Sequence, residues 1–215
     1  MTLDSRRLVA ASLVVTALLS TLWTVTEQDL SGDHADWLGS MAEAGGRVKI
    51  SGLAFVLAQL PFIVGMAGLA RWLRPSRLAA VGGVLAVLGG FGHAVYGGVM
   101  LTQTVMAEDR SNLDVYAGLL ERLEGEPTLL PFMVAGLLGT VLGVLLLSIA
   151  WWRSRTAPRW VAPTLWAFLV VEFVGVNLSE WATYLSVLLY LVALCAIATR
   201  LVAAPVRQPE TAPVG

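Results

Sequence analysis

The chain has 215 residues, 57% of them hydrophobic and 13% charged, with a mean hydropathy of +0.74. A soluble domain carries roughly 25% charged residues, so this composition excludes a soluble globular fold and makes the lipid bilayer the solvent and first partner of the chain. A formal net charge of −1 supplies no field for nucleic acid, and a single cysteine, Cys195, leaves no internal disulfide or cysteine-rich metal site.

The first apolar run, Leu8 to Val25, follows Arg6 and Arg7 as a signal peptide would. It is longer than a signal core, and Trp23-Thr24-Val25-Thr26 offers no small-residue cleavage pattern, so it reads as an uncleaved span. The other runs are Ile50 to Ala70, Leu78 to Met106, Leu129 to Trp152, Trp160 to Val176 and Trp181 to Val202. A spanning helix needs about 20 apolar residues, and unpaired backbone groups in hydrocarbon are costly, so all six are expected to be helices. The expected fold is therefore all-α, a six-transmembrane-helix bundle forming one domain over residues 1–202, with 203–215 as a disordered cytoplasmic tail containing Pro205, Pro209 and Pro213.

Two loops on the opposite side are long enough for short amphipathic helices. In the first, Trp37, Leu38 and Met41 share a face ahead of Gly45-Gly46. In the second, Ser111 and Asp114 resemble a capping box, Leu113, Tyr116, Leu120 and Leu123 keep helical spacing, and Gly125 and Pro127 stop it.

Gly82, Ala86, Gly90, Ala94 and Gly98 recur every four residues in the third span, a small-residue stripe that lets another helix approach closely. Gly136, Thr140 and Gly143 make a shorter row on the fourth span, its expected partner. Trp152, Trp160 and Trp181 fall at span ends, where interfacial anchors belong.

Ten basic residues, including Arg71, Arg74, Arg77, Arg153, Arg155 and Arg159, fall on the side of both termini, against Arg47, Lys49, Arg110 and Arg122 on the other. This places both termini in the cytoplasm. Thirteen of the fourteen basic residues are arginine, a bias that, with abundant Ala, Gly and Val, suggests a GC-rich bacterial genome and a bacterial plasma membrane.

Ionisable and amide groups inside spans are costly and raise a functional hypothesis. His93 lies sixteen residues beyond Arg77, Glu172 thirteen beyond Arg159, and Gln59 nine residues into the second span. At about 1.5 Å per residue these depths agree within roughly 5 Å. Tyr96 shares a face with His93, and Pro61 should bend the second span at this level, freeing the carbonyl of Leu57. His93, Glu172, Gln59 and Tyr96 therefore form a candidate polar site, either a proton-linked or ligand-binding centre or a hydrogen-bonded pair that ties the third span to the fifth. His34 reads as a loop histidine, so a multi-histidine metal or haem site is unsupported and no cofactor is expected. Serine-nucleophile, zinc-protease, Cys-x-x-Cys and phosphate-loop motifs are absent, which disfavours catalysis.

From about residue 41 to 88, Met41-Ala42-Glu43, the following span and Arg71-Trp72-Leu73-Arg74-Pro75 resemble a domain-of-unknown-function family of small bacterial multi-span membrane proteins. That resemblance implies topology and origin and no activity. The expected role is an accessory or assembly component of a bacterial envelope system, acting with a membrane-protein partner. A small proton-linked transporter or lipophilic-ligand binder using the His/Glu site is the alternative, and a membrane enzyme the third.

Overall fold

The computed structural model describes residues 1–27, 32–154 and 158–204, apart from the side chain of Asn177. The portion of the expected disordered tail from 205 to 215 lies outside the described residues.

Among the described residues, helices joined by turns and short loops are the only regular secondary structure, and there is no strand. Five helices are long and apolar enough to cross a membrane: α1 (Leu3–Thr26), α3 (Gly46–Trp72), α4 (Arg77–Met106), α6 (Leu130–Ser154) and α8 (Glu180–Ala203). Two short helices, α2 (His34–Ala44) and α5 (Leu113–Glu124), occupy the loops, and α7 (Val161–Phe173) lies between α6 and α8. The protein is a polytopic helical membrane bundle.

The count of full-length spans differs from the expected six. α7 has only 13 residues, about 20 Å of axis against a hydrocarbon core of about 30 Å. Val170, Val171, Val174 and Val176 restrict side-chain rotamers, and Gly175 has poor helix propensity; the chain there passes into a 3₁₀ turn, Gly175–Asn177. Apolarity continues to Val176, but the α-helix does not.

The six helices close a ring. α1 packs beside α3, α3 beside α4, α4 beside α6, α6 beside α7, α7 beside α8, and α8 returns to α1. At one end the Arg6 guanidinium donates to the carbonyl of Ala204 at 2.7 Å, joining the start of α1 to the end of α8. This arginine-rich end also carries the α3–α4 turn. The other, the loop end, carries α2 and α5, which bury Leu38, Met41, Val48, Ala107 and Leu120 between themselves and the ends of α3 and α4.

Exposure is inverted relative to a soluble protein. Leu57, Leu60, Val84 and Val170 are exposed, while Thr16, Ser12, Ser148 and Ser186 are buried. Trp152, Trp160 and Trp181 are exposed near helix ends.

The α4–α6 pair is the most extensive in the ring. Each four-residue step turns a helix about 400°, so the row from Gly82 to Gly98 drifts about 40° per step and cannot serve one neighbour. Gly82 and Ala86 meet α6 at Leu147 and Gly143, Gly90 meets Ile63 and Phe62 of α3, and Gly98 has nothing within 4 Å. The close contacts instead divide by face: Gly82, Gly89 and Gly92 against α6, and Gly83, Gly90 and Gly97, seven residues apart, against α3.

The loop helices form with different caps. α5 lacks the expected Ser111/Asp114 box, because Ser111 and Asn112 both donate to Asp109, as does the Tyr116 hydroxyl. α2 has a capping box the sequence reading passed over, between Asp33 and Asp36, and ends at Gly45 with φ of 55°. His34, expected in a loop, opens α2 and stands 3.0 Å from Glu124 of α5.

Candidate functional site

α3 continues as a helix through Pro61, and Gln59 turns its side-chain amide back to the Phe55 carbonyl at 2.8 Å. On α4, His93 points toward α6, where the missing side chain of Gly136 makes room for it; a Cβ there would stand 2.9 Å from His93 Cδ2. His93 Nδ1 lies 3.4 Å from Thr140 Oγ1, and Phe55 presents its ring at 5.7 Å in an edge arrangement.

Glu172 sits in the last turn of α7, half-buried, and Ser186 of α8 donates to its Oε2 at 2.6 Å. The same hydroxyl lies 2.9 Å from the Thr183 carbonyl. A serine has one proton to give, so the two acceptors define two arrangements. Ionised Glu172 accepts a hydrogen bond from the Ser186 hydroxyl; protonated Glu172 donates to Ser186 Oγ, and Ser186 donates to the Thr183 carbonyl. Both protonation states are accommodated without moving a heavy atom.

These residues line one cavity of about 410 Å³ toward the loop end of the ring. Gln59, His93, Tyr96 and Glu172, the four residues singled out by depth, all reach it. Direct pairing of His93 with Glu172 is not what the side chains do, since their hydrogen bonds run to Thr140 and Ser186. Every ring helix contributes to the lining, and Trp37 of α2 reaches it from the loops. Trp23, Phe55, Phe62, Phe168, Phe173 and Tyr190 supply its aromatic surface, beside small polar groups such as Thr16, Ser20 and Thr24; Phe168 and Tyr190 stack at 4.6 Å.

Several lining residues were missed in the sequence. Thr140 was read only as a packing residue, and Ser186 is a small polar group of a kind common between packed helices. Glu27, one residue beyond α1, lies outside the apolar runs and was not singled out. Its side chain lies at the cavity rim, where burial, and then the charge of Glu172, push its carboxyl up to about 7. The Glu27 carbonyl accepts from Arg47 at 3.1 Å, which fixes the backbone at this rim.

An aromatic chamber with a few convergent polar groups can hold a small, mainly apolar molecule and orient one polar end of it. Comparison with family models, curated proteins and solved structures finds no match for the chain, so the resemblance over residues 41–88 carries nothing further and the site is interpreted on its geometry alone.

Proposed function

We propose that the protein is a membrane-embedded binder of a small lipophilic molecule, held in the loop-end cavity with its polar end among Glu172, His93, Gln59 and Tyr96. The observation that carries this proposal is the convergence of all six ring helices on one aromatic chamber of about 410 Å³, within the range of about 300–1,000 Å³ typical of small-molecule sites. A purely accessory role would not require such a chamber. The two hydrogen-bonded arrangements of Glu172 and Ser186 favour a second, narrower reading, in which occupancy is linked to a proton on Glu172.

Trp23 and Trp37 line the chamber and supply an optical test. A brominated fatty alcohol added to the full chain in neutral detergent should quench a saturable fraction of the tryptophan fluorescence. Ser20→Phe, which adds a ring to the lining, should remove the saturable part while the melting temperature stays within a few degrees. Linear, unsaturable quenching in both proteins would refute ligand binding in the chamber.

In this proposal the arginine-rich end faces the cytoplasm of a bacterial plasma membrane, supported by the distribution of ten basic residues against four. In a Cys195→Ala background, Ser111→Cys should react with an impermeant thiol reagent outside intact cells and Ser154→Cys should not. The reverse pattern would invert the bundle.

A further inference from the structure

The arginine-rich end encloses a second concavity, of about 840 Å³, that the ligand-binding proposal does not use. Arg6 of α1, Arg71 of α3, Arg74 of the α3–α4 turn, Arg153 of α6 and Arg200 of α8 all line it, together with Ser76, the N-cap of α4. Among the described residues, no aspartate or glutamate lines it. Arg71, Arg74 and Arg153 alone bring three exposed formal positive charges to one concave surface, where they repel one another.

The positive bias of this face does not by itself explain the gathering. Arg7, Arg77 and Arg159 lie at the same end but do not line the concavity. Guanidinium groups arriving from four helices and a turn can present paired N–H donors to one anion from several sides, the geometry that suits phosphate oxygens. Basic pockets between membrane helices hold phosphate headgroups for the same reason. Arg6 is 7% exposed and anchored on the Ala204 carbonyl, while Arg71, Arg74 and Arg153 are exposed, so the wall combines a fixed base with accessible arms.

We propose that this concavity is a binding site for a phosphate-bearing anion, supplied either by the headgroup of an anionic lipid or by free phosphate. The proposal is independent of the loop-end chamber.

The full chain in neutral detergent is titrated with short-chain phosphatidylglycerol, short-chain phosphatidylcholine and inorganic phosphate, and bound species are counted by native mass spectrometry. The wild type should bind phosphatidylglycerol more tightly than the zwitterionic lipid. The triple variant Arg71→Gln/Arg74→Gln/Arg153→Gln should bind it roughly 100-fold more weakly. The matched variant Arg7→Gln/Arg77→Gln/Arg159→Gln removes three charges from the same face and should weaken binding by less than roughly tenfold. If phosphate leaves phosphatidylglycerol in place, the ligand is the lipid; if phosphate binds and displaces it, free phosphate is the source. All six substituted arginines are exposed, so both triples should fold, and melting temperatures check this. Equal weakening by both triples would reduce the effect to surface charge and overturn the site. So would a wild type that binds phosphatidylglycerol no better than phosphatidylcholine and takes up no phosphate.

Discussion

The two ends of the ring enclose space in opposite ways. The loop-end chamber is walled by aromatic rings, and its carboxylate, Glu172, has a hydroxyl partner that serves it charged or neutral. The larger concavity at the other end is walled by permanent charges, since a guanidinium does not lose its proton in a protein. Between them lies a packed apolar layer that includes Leu13, Met66, Ala86, Leu147, Leu165 and Leu194, all buried. In hydrocarbon, an interior can bear polarity where neutrality is available or where the charge opens to a polar boundary, and this bundle uses both solutions on either side of a dry layer.

Breaking the layer should have the largest effect. Its closeness depends on backbone contact between α4 and α6: a Cβ on Gly89 would stand 2.5 Å from the Thr140 amide nitrogen. Gly89→Leu should cost at least about 3 kcal/mol and separate the helices, because backbone cannot yield as a flexible side chain can. Gly98→Leu, with nothing within 4 Å, should change stability by less than about 0.5 kcal/mol. Melting temperatures in detergent compare the two, and similar losses would mean that the α4–α6 contact does not organise the layer.

A smaller effect sharpens the contrast between the aromatic and the guanidinium walls. Glu172→Gln keeps a hydrogen-bond acceptor for Ser186 and should lower stability by no more than about 1.5 kcal/mol. If occupancy is proton-linked, the variant retains saturable quenching by the brominated alcohol but loses its dependence on pH. Unchanged pH dependence would assign Glu172 to holding α7 on α8.

Particular residues show what the sequence could reveal. Helices act as rulers, so counting from Arg77 and Arg159 put His93 and Glu172 at one level, and both line one chamber with Gln59 and Tyr96. Depth says nothing about which way a side chain turns, and His93 found Thr140 rather than Glu172 because α6, not α7, is the neighbour that packs most closely on α4. Apolarity marked residues 160–176 as a span, but it does not report where valines and a glycine loosen a helix, and α7 stops at Phe173. The small-residue row was visible as spacing, yet a strict period of four winds around a helix, so Gly82 and Ala86 face α6, Gly90 faces α3 and Gly98 meets neither. The arginines were legible as one end of the bundle; their convergence on one concavity needed the ring to close.

The smallest effect concerns the rim, where Glu27 faces the chamber. Glu27 is accessible to solvent on one side, and burial on the other, with Glu172 nearby, raises its carboxyl from the usual 4.5 to about 7. The folded state therefore binds this proton more tightly than the unfolded chain does. The associated stability is fully present below about 4.5 and is lost as pH rises through about 7, opposite to the behaviour of a salt-bridged carboxylate. Solvent at the rim screens the interaction, so the change across that window should be no more than about 1 kcal/mol. Glu27→Gln should flatten the melting temperature of the full chain over the same window, while Glu43→Gln, on an α2 acid outside the cavity lining, should leave the slope intact. A slope that survives Glu27→Gln would place the titrating group elsewhere and leave the chamber rim without a pH-sensitive carboxyl.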